Sequence, residues 1–229
     1  MPSLDAAPAP VRIAIIEDHE LLADALACAL GRDGFDVVVV RPASFPAIID
    51  HVRELSPGIV LLDLHLGDLG SSVSLIDPLR EVGAEVICVT GETARATWGA
   101  CVEAGASAVL SKSTPFDELV GRIGAVIAGE AGMPTSERVA LLQDVREHRA
   151  EARVRLEPFQ RLTVRECEVL RELMDGLSAD AIAERAFVSL TTVRSHIRGI
   201  LQKLGVSSQL AAVAMATRAG WSSPHRRPG

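Results

Sequence analysis

Asp63 ends an unbroken aliphatic run, Ile59-Val60-Leu61-Leu62, inside the stretch GIVLLDLHLGD. A run without period-two alternation reads as a strand buried on both faces, and an unpaired carboxylate is costly to bury there. A second run, VRIAII over 11–16, leads straight into Glu17-Asp18. A third, EVICVT over 85–90, ends in Thr90 with the small Gly91 behind it, and a fourth, SAVL over 107–110, passes through Ser111 to Lys112. Together these strand ends supply three carboxylates, a hydroxyl and an ammonium. Gathered carboxylates repel unless a cation neutralises them, and oxygen ligands without His or Cys suit a hard ion, Mg2+ before Ca2+ where phosphate is handled. A hydroxyl donor, a lysine and Mg2+ are what the oxygens of an incoming phosphoryl group require. An aspartate can then act as nucleophile and form an acyl phosphate. Any one of these residues alone is ordinary surface; four strand ends with matching chemistry are not.

The elements that must gather them follow from the pattern. Five apolar runs (11–16, 36–40, 58–62, 85–90 and 107–110) alternate with segments of helical spacing. Leu21, Leu22, Ala25, Leu26, Ala29 and Leu30 mark the face of a first helix, and Ile48, Ile49, Val52 and Leu55 that of a second. Phe116, Leu119, Val120, Ile123 and 126–127 mark one after the fifth strand, entered through Ser113-Thr114-Pro115 with Asp117 and Glu118 in its first turn. Alternating strands and helices predict a parallel sheet covered on both faces. The common five-stranded solution is a doubly wound α/β sheet of order 2-1-3-4-5. Ligands bind beyond the carboxyl ends of such strands where the order reverses, between strands 1 and 3. That crevice is where Glu17, Asp18 and Asp63 converge.

The rest of the chain differs in kind. Residues 1–158 carry 13 Lys+Arg against 24 Asp+Glu, while 159–229 carry 10 against 6. A basic tail behind an acidic front hints at nucleic acid. LTVRECEVLRELMDGL opens on Thr163 with Glu166 three residues on, a capping box, and Gly176 stops it. SADAIAERA gives a short second helix. SLTTVRSHIRGILQKLG gives a third, about Leu190–Leu204, with Val193, Ile197, Ile200, Leu201 and Leu204 on one stripe. Thr191, Arg194, Ser195 and Arg198 share its exposed face, with His196 and Lys203 nearer the nucleic-acid backbone. SSQLAAVAMATRAGW gives a fourth. Two helices joined by a tight turn, the second carrying Arg and His, match a helix-turn-helix.

Cys28, Cys88, Cys101 and Cys167 are scattered without a C-x-x-C pair, which points away from a disulfide framework or zinc site. MPSLDAAPAP has neither the basic nor the apolar region of a signal peptide, and no apolar run approaches a membrane span. A cytoplasmic protein is expected. The divisions read as a flexible tail (1–10), an α/β domain (11–130), a partly helical linker whose apolar positions Val139, Leu142 and Val145 are too sparse for a core (131–158), a small all-α domain (159–222) and a second flexible tail (223–229).

These motifs resemble two-component response regulators of the NarL/FixJ branch, with a LuxR-type helix-turn-helix. In the receiver the resemblance rests on IIEDH (15–19), IVLLDLHL (59–66), VTG (89–91) and AGASAVLSK (104–112), and in the effector on LTVRECEVL (162–170) and TVRSHIRGILQKLGV (192–206). It implies that Asp63 is the phosphoacceptor and that Glu17, Asp18, Asp63 and the main-chain carbonyl of His65 hold Mg2+. It also implies that Thr90 is the switch hydroxyl, beside Gly91, and Lys112 the phosphoryl-pairing lysine. His65 and Glu92, two residues past Asp63 and Thr90, would overlook the acyl phosphate and tune its lifetime. Arg194, Ser195 and Arg198 would read DNA and His196 would touch phosphate. Leu210, Val213 and Ala214 would form a dimer surface. The implied partners are a sensor histidine kinase, double-stranded promoter DNA and a second copy on activation, with no membrane and no enzymatic turnover.

The chain departs from the family pattern at named places. Gly67 stands where Pro is usual, and Ser113 follows Lys112 where many receivers have Pro. Val109 replaces the Tyr or Phe whose rotamer follows the threonine, and the chain has no Tyr. Ala179-Asp180 replaces an Asn-Lys type pair, and Thr191 an often basic position. The aromatic coupling therefore cannot operate as such. A phosphorylation-independent regulator built on the same fold stays open for that reason. An aspartate-nucleophile phosphatase fits less well, because that class carries its Asp after the first strand with a second Asp two residues on, where this chain has His65.

Overall fold

A computed structural model describes residues 11–41 and 43–223; the expected tail 1–10 and all but the first residue of the tail 223–229 lie outside them. The chain divides into two compact units at Glu147/His148.

In the first unit the five apolar runs are strands: β1 (Arg12–Ile16), β2 (Asp36–Val40), β3 (Ile59–Leu62), β4 (Glu85–Thr90) and β5 (Ala108–Ser111). They pair in parallel in the order β2-β1-β3-β4-β5, as the alternation predicted. Each central strand sends alternate side chains to opposite faces. Ala14, Ile16, Val60, Leu62, Val86, Cys88 and Val109 face one core, with Ile48 and Val52 of α2 (Phe45–Leu55), Ile76 and Leu79 of α3 (Ile76–Glu81), and Cys101 and Val102 of α4 (Arg95–Glu103). Ile13, Ile15, Ile59, Leu61, Ile87, Ala108 and Leu110 face the other, with Ala23 and Leu30 of α1 (Glu20–Arg32) and Leu119, Ile123 and Val126 of α5 (Phe116–Ile127).

Two expectations need correction. The first helix buries Ala23 and Leu30 and half-buries Leu22, Leu26 and Ala27, whereas Leu21 is 89% exposed. The apolar stripe is rotated by about one position, because Leu21 lies in the first turn beside the crevice. Of the sparse apolar positions after 131, Val145 is core and Leu142 packs partly on it, while Val139 is 58% exposed; the neighbouring Met133 and Leu141 complete the contact. Residues 135–156 form one helix, α6 (Thr135–Leu156), and Met133, Leu141 and Val145 are buried. Few large side chains suffice because α4 presents Gly99: a Cβ there would overlap the Leu141 carbonyl and stand 3.0 Å from Val145 Cβ, so the two helices approach closely.

The second unit is helical: α7 (Val164–Met174), α8 (Ala179–Ala186), α9 (Leu190–Leu204) and α10 (Gln209–Ala219), closed around Leu170, Ile182, Val193, Ile197, Ile200, Leu204 and Ala212. Each begins on a side-chain oxygen: Thr163, Ser178, Ser189 and Ser208 accept from the amides of Glu166, Ala181, Thr192 and Ala211.

The turn between α8 and α9 carries an unusual residue. Phe187 caps α8 in the left-handed region, φ 54° and ψ 42°, with a side chain 96% exposed. A non-glycine residue pays about 1–2 kcal/mol there, and an exposed ring regains little of it. Phe187→Asn, which tolerates this conformation, is expected to stabilise the second unit by about 1 kcal/mol. Urea melts of the two proteins check this, and an unchanged or lower midpoint would show that the ring is held by contacts that outweigh the strain.

Candidate functional site

The crevice beyond the carboxyl ends of β1, β3, β4 and β5 is a cleft of about 910 Å3 lined by Asp63, His65, Thr90, Gly91, Glu92 and Lys112, with His19 at its rim. Glu17, Asp63 and Thr90 are buried to 4%, 4% and 1% exposure, polar groups that an inert strand end would leave in water. Glu17, Asp18, His19 and Asp63 each offer a ligand atom, all within 4.8 Å of one another. Lys112 reaches Asp63 Oδ2 at 2.8 Å and Glu17 Oε2 at 2.7 Å. Burial would lower its pKa, but the bonds to Asp63 and Glu17 outweigh burial and raise it, so the ammonium stays charged.

The donor set fits a hard divalent cation. Asp18 Oδ1 is buried and makes no hydrogen bond of good geometry; His19 Nδ1 lies 3.0 Å from it, and oxygen from Glu17 and Asp63 stands beside it. The loop after β3 is tied back to the strand end. Ser72, wholly buried, donates its hydroxyl to the Asp63 carbonyl at 2.5 Å and its amide to the Leu64 carbonyl at 3.1 Å. The carbonyls of Asp63 and Leu64 are thus engaged by Ser72. Gly67 sits in this loop with φ +51°, and a Cβ on it would lie 3.1 Å from Asp18 Oδ2. Proline, with φ fixed near −65°, cannot adopt that conformation, so the departure at 67 belongs to the loop geometry.

Two residues differ from their expected placement, and one was overlooked. Glu92 lines the cleft, but its carboxylate turns to the amides of Thr93 and Ala94, at 2.9 and 3.0 Å, and so caps the approach to α4. Val109, 2% exposed, packs in the core of the sheet. His19, within the IIEDH motif, joins the acidic cluster. Its Nδ1 lies 2.8 Å from Glu17 Oε1 and 3.0 Å from Asp18 Oδ1, and the bond to Glu17 together with the charge of Asp18 raises its pKa. A histidine next to two acids was the available signal.

In the second unit Thr191, Arg194, Ser195 and Arg198 are exposed along one side of α9, and His196 is half-buried. Lys203 is held elsewhere. Its ammonium bonds Glu166 Oε2 at 2.6 Å, and Glu166 also accepts from the amide and hydroxyl of Thr163. The acid is 6% exposed and comes close to α9 at Gly199, where a Cβ would be 2.5 Å from Oε1. An ammonium so engaged gives less to a phosphate than the sequence suggested. On α10, Leu210 is 78% exposed, Val213 packs partly on the core, and Ala214 is half-buried.

Residues 13–124 match the family model described as the response regulator receiver domain, and residues 160–216 that of the bacterial regulatory proteins of the luxR family. The nitrate/nitrite response regulator protein NarP of Escherichia coli is 34% identical over 209 residues, covering 90% of this chain and 94% of the relative. The nitrate/nitrite response regulator protein homolog of Haemophilus influenzae is 31% identical over 207 residues, covering 90% and 95%. RcsB from Salmonella enterica serovar Typhimurium, solved bound to a promoter in the presence of the phosphomimetic BeF3−, shares the fold with TM-score 0.50 at 21% identity, over 90% of this chain and 97% of that one. The chain belongs to the response regulators that join a receiver domain to a LuxR-type DNA-binding domain.

Proposed function

We propose that this chain is a transcription regulator gated by phosphorylation of Asp63, with a sensor histidine kinase as phosphodonor and Mg2+ as cofactor. The observation that carries the reading is the convergence of Asp63, Thr90 and Lys112 in one cleft, with Glu17 and Asp18 clustered against Asp63. Glu17, Asp18, Asp63 and the His65 carbonyl would hold Mg2+, which when bound offsets charge on the phosphoryl oxygens. An Asp63 carboxylate oxygen attacks phosphorus, and the donor leaves with the electrons of the broken bond. Lys112 shifts from pairing with Asp63 to pairing with a phosphoryl oxygen. The Thr90 hydroxyl, whose oxygen accepts from the Glu92 amide at 3.0 Å before phosphorylation, turns to donate to another. Glu92 acts on the acyl phosphate through that loop, and His65 lies beside it. The phosphoprotein pairs with a second copy, with Leu210, Val213 and Ala214 on the contact face, and binds promoter DNA. The protein works in the cytoplasm and turns over no substrate of its own; among the described residues no helix is long and apolar enough to cross a membrane.

Incubation of the full chain with a small phosphodonor and Mg2+, followed by intact mass, tests this. One phosphoryl group is expected, and none in excess chelator. No gain under either condition would favour the phosphorylation-independent reading, for which the buried Val109 is the supporting observation.

Binding rests on α9. Arg194 and Arg198, four residues apart, project from one face. If Arg194 reads a guanine, Arg194→Ala is expected to weaken a selected duplex by about 1–3 kcal/mol and relax preference at one base pair per half-site. If Arg198 contacts phosphate, Arg198→Ala should weaken all duplexes alike and flatten the slope of log K against log salt by roughly 0.9 per contact. Titrations on selected and scrambled duplexes at several salt concentrations check both. Should neither substitution alter affinity or slope, α9 does not enter the groove.

A further inference from the structure

With valine at 109, Thr90 has no aromatic partner on β5, yet it is not isolated. Its Oγ1 accepts from the Glu92 amide at 3.0 Å. The Glu92 carboxylate in turn accepts from the amides of Thr93 and Ala94, and the Glu92 carbonyl accepts from the indole N–H of Trp98 at 2.8 Å. Trp98 lies on α4, one residue before Gly99, where α6 makes its close approach. The same helix pair is pinned by Arg95 Nε on Asp144 Oδ2 at 2.6 Å. The first turn of α6 is tied down separately, by Arg138 donating to the carbonyls of Ala106 at 3.0 Å and Ser107 at 3.4 Å. A continuous set of contacts thus runs from the buried hydroxyl to residues 138–145, within the first unit.

We infer that the first half of α6 is a strap whose seat on α4 is set by Thr90 through Glu92 and Trp98. This rests on the phosphoacceptor reading of Asp63. When Thr90 turns to donate to a phosphoryl oxygen, its oxygen leaves the Glu92 amide. The loop that caps α4 then loses its anchor on β4, and Trp98 loses a fixed carbonyl to bond. A helix contact made at a glycine tolerates little rotation, because its neighbour is backbone and cannot swing aside as a side chain end can. The seat at Leu141 and Val145 therefore loosens when α4 turns.

Hydrogen exchange of the full chain with Mg2+, with and without beryllofluoride as acyl-phosphate mimic, tests the strap, with adduct formation by the phosphodonor followed in parallel by mass. Exchange of amides in 135–147 is expected to speed by about tenfold on adding the mimic. Trp98→Phe keeps the ring but removes the N–H, so the phosphoryl adduct should still form while the response of 135–147 shrinks below about twofold. Asp144→Ala should raise exchange in the same segment without any mimic. An adduct with no change in 135–147, or a full response in Trp98→Phe, overturns the strap alone. Absence of any adduct overturns the phosphoacceptor reading and the strap with it.

Discussion

Asp63→Asn is expected to abolish the mass gain from a small phosphodonor while the receiver stays folded. The nucleophile is a carboxylate oxygen, and an amide of the same shape is a far poorer one. Both oxygens of Asp63 are held: Oδ2 by Lys112 at 2.8 Å, and Oδ1 by the His65 amide at 3.3 Å. Glu17 is the nearest competitor, since it shares Lys112, but its Oε1 is engaged by His19. The asparagine variant therefore separates attack by Asp63 from adventitious attack by a neighbour. An adduct of wild-type yield in the variant would move the phosphoacceptor elsewhere. Stability should change little, because the amide oxygen still accepts from Lys112 and one buried charge is removed.

Glu166→Gln is expected to destabilise the second unit. The carboxylate closes the capping box with Thr163, pairs with Lys203 and lies against α9 at Gly199. Neutralising it leaves a part-buried ammonium without its counter-charge. A loss of about 2–3 kcal/mol is expected, the scale of a charge-assisted bond plus part of a helix cap. The pH dependence has a defined sign. Burial alone would raise the pKa of Glu166, but hydrogen bonds from Lys203 and Thr163 outweigh it and hold the carboxyl below its ordinary range. A depressed pKa gives stability that is present above the unfolded value, about 4.3. It is lost as pH falls below that value toward the lower folded one. Urea midpoints against pH should accordingly fall less steeply below about pH 4 in the glutamine variant. Equal midpoints at pH 7 would show that the pair adds nothing.

The sheet and its site were legible because their signals are strong and local. Strands buried on both faces read as continuous aliphatic runs, and the strand order followed from right-handed crossovers. The residue after each run then fixed which groups share the crevice, so Glu17, Asp18, Asp63, Thr90 and Lys112 could be placed together. The helices of the second unit carried their own punctuation in Thr163, Ser178, Ser189, Ser208 and Gly205.

What escaped the sequence depends on partners distant in it. α6 looked too polar for a core because its partner on α4 is the absent side chain of Gly99. The spacing of Glu92 from Thr90 points its carboxylate at the cleft, but the amides of Thr93 and Ala94 at the approach to α4 hold it. Helical period alone points Lys203 outward and does not register that a buried acid on α7 lies within reach. α3 and α4 were not delimited, being six and nine residues long with few large apolar side chains to set a period.

The central claim is that phosphorylation gates DNA binding, and one comparison tests it most directly. A duplex is first selected from random sequence by the phosphorylated full chain. It is then titrated with phosphorylated and unphosphorylated protein at one salt concentration. Phosphorylation is expected to tighten binding by about tenfold or more, equivalent to at least about 1.4 kcal/mol of coupling between the two sites. Equal affinities, in a preparation whose mass shows the phosphoryl group in place, would contradict it.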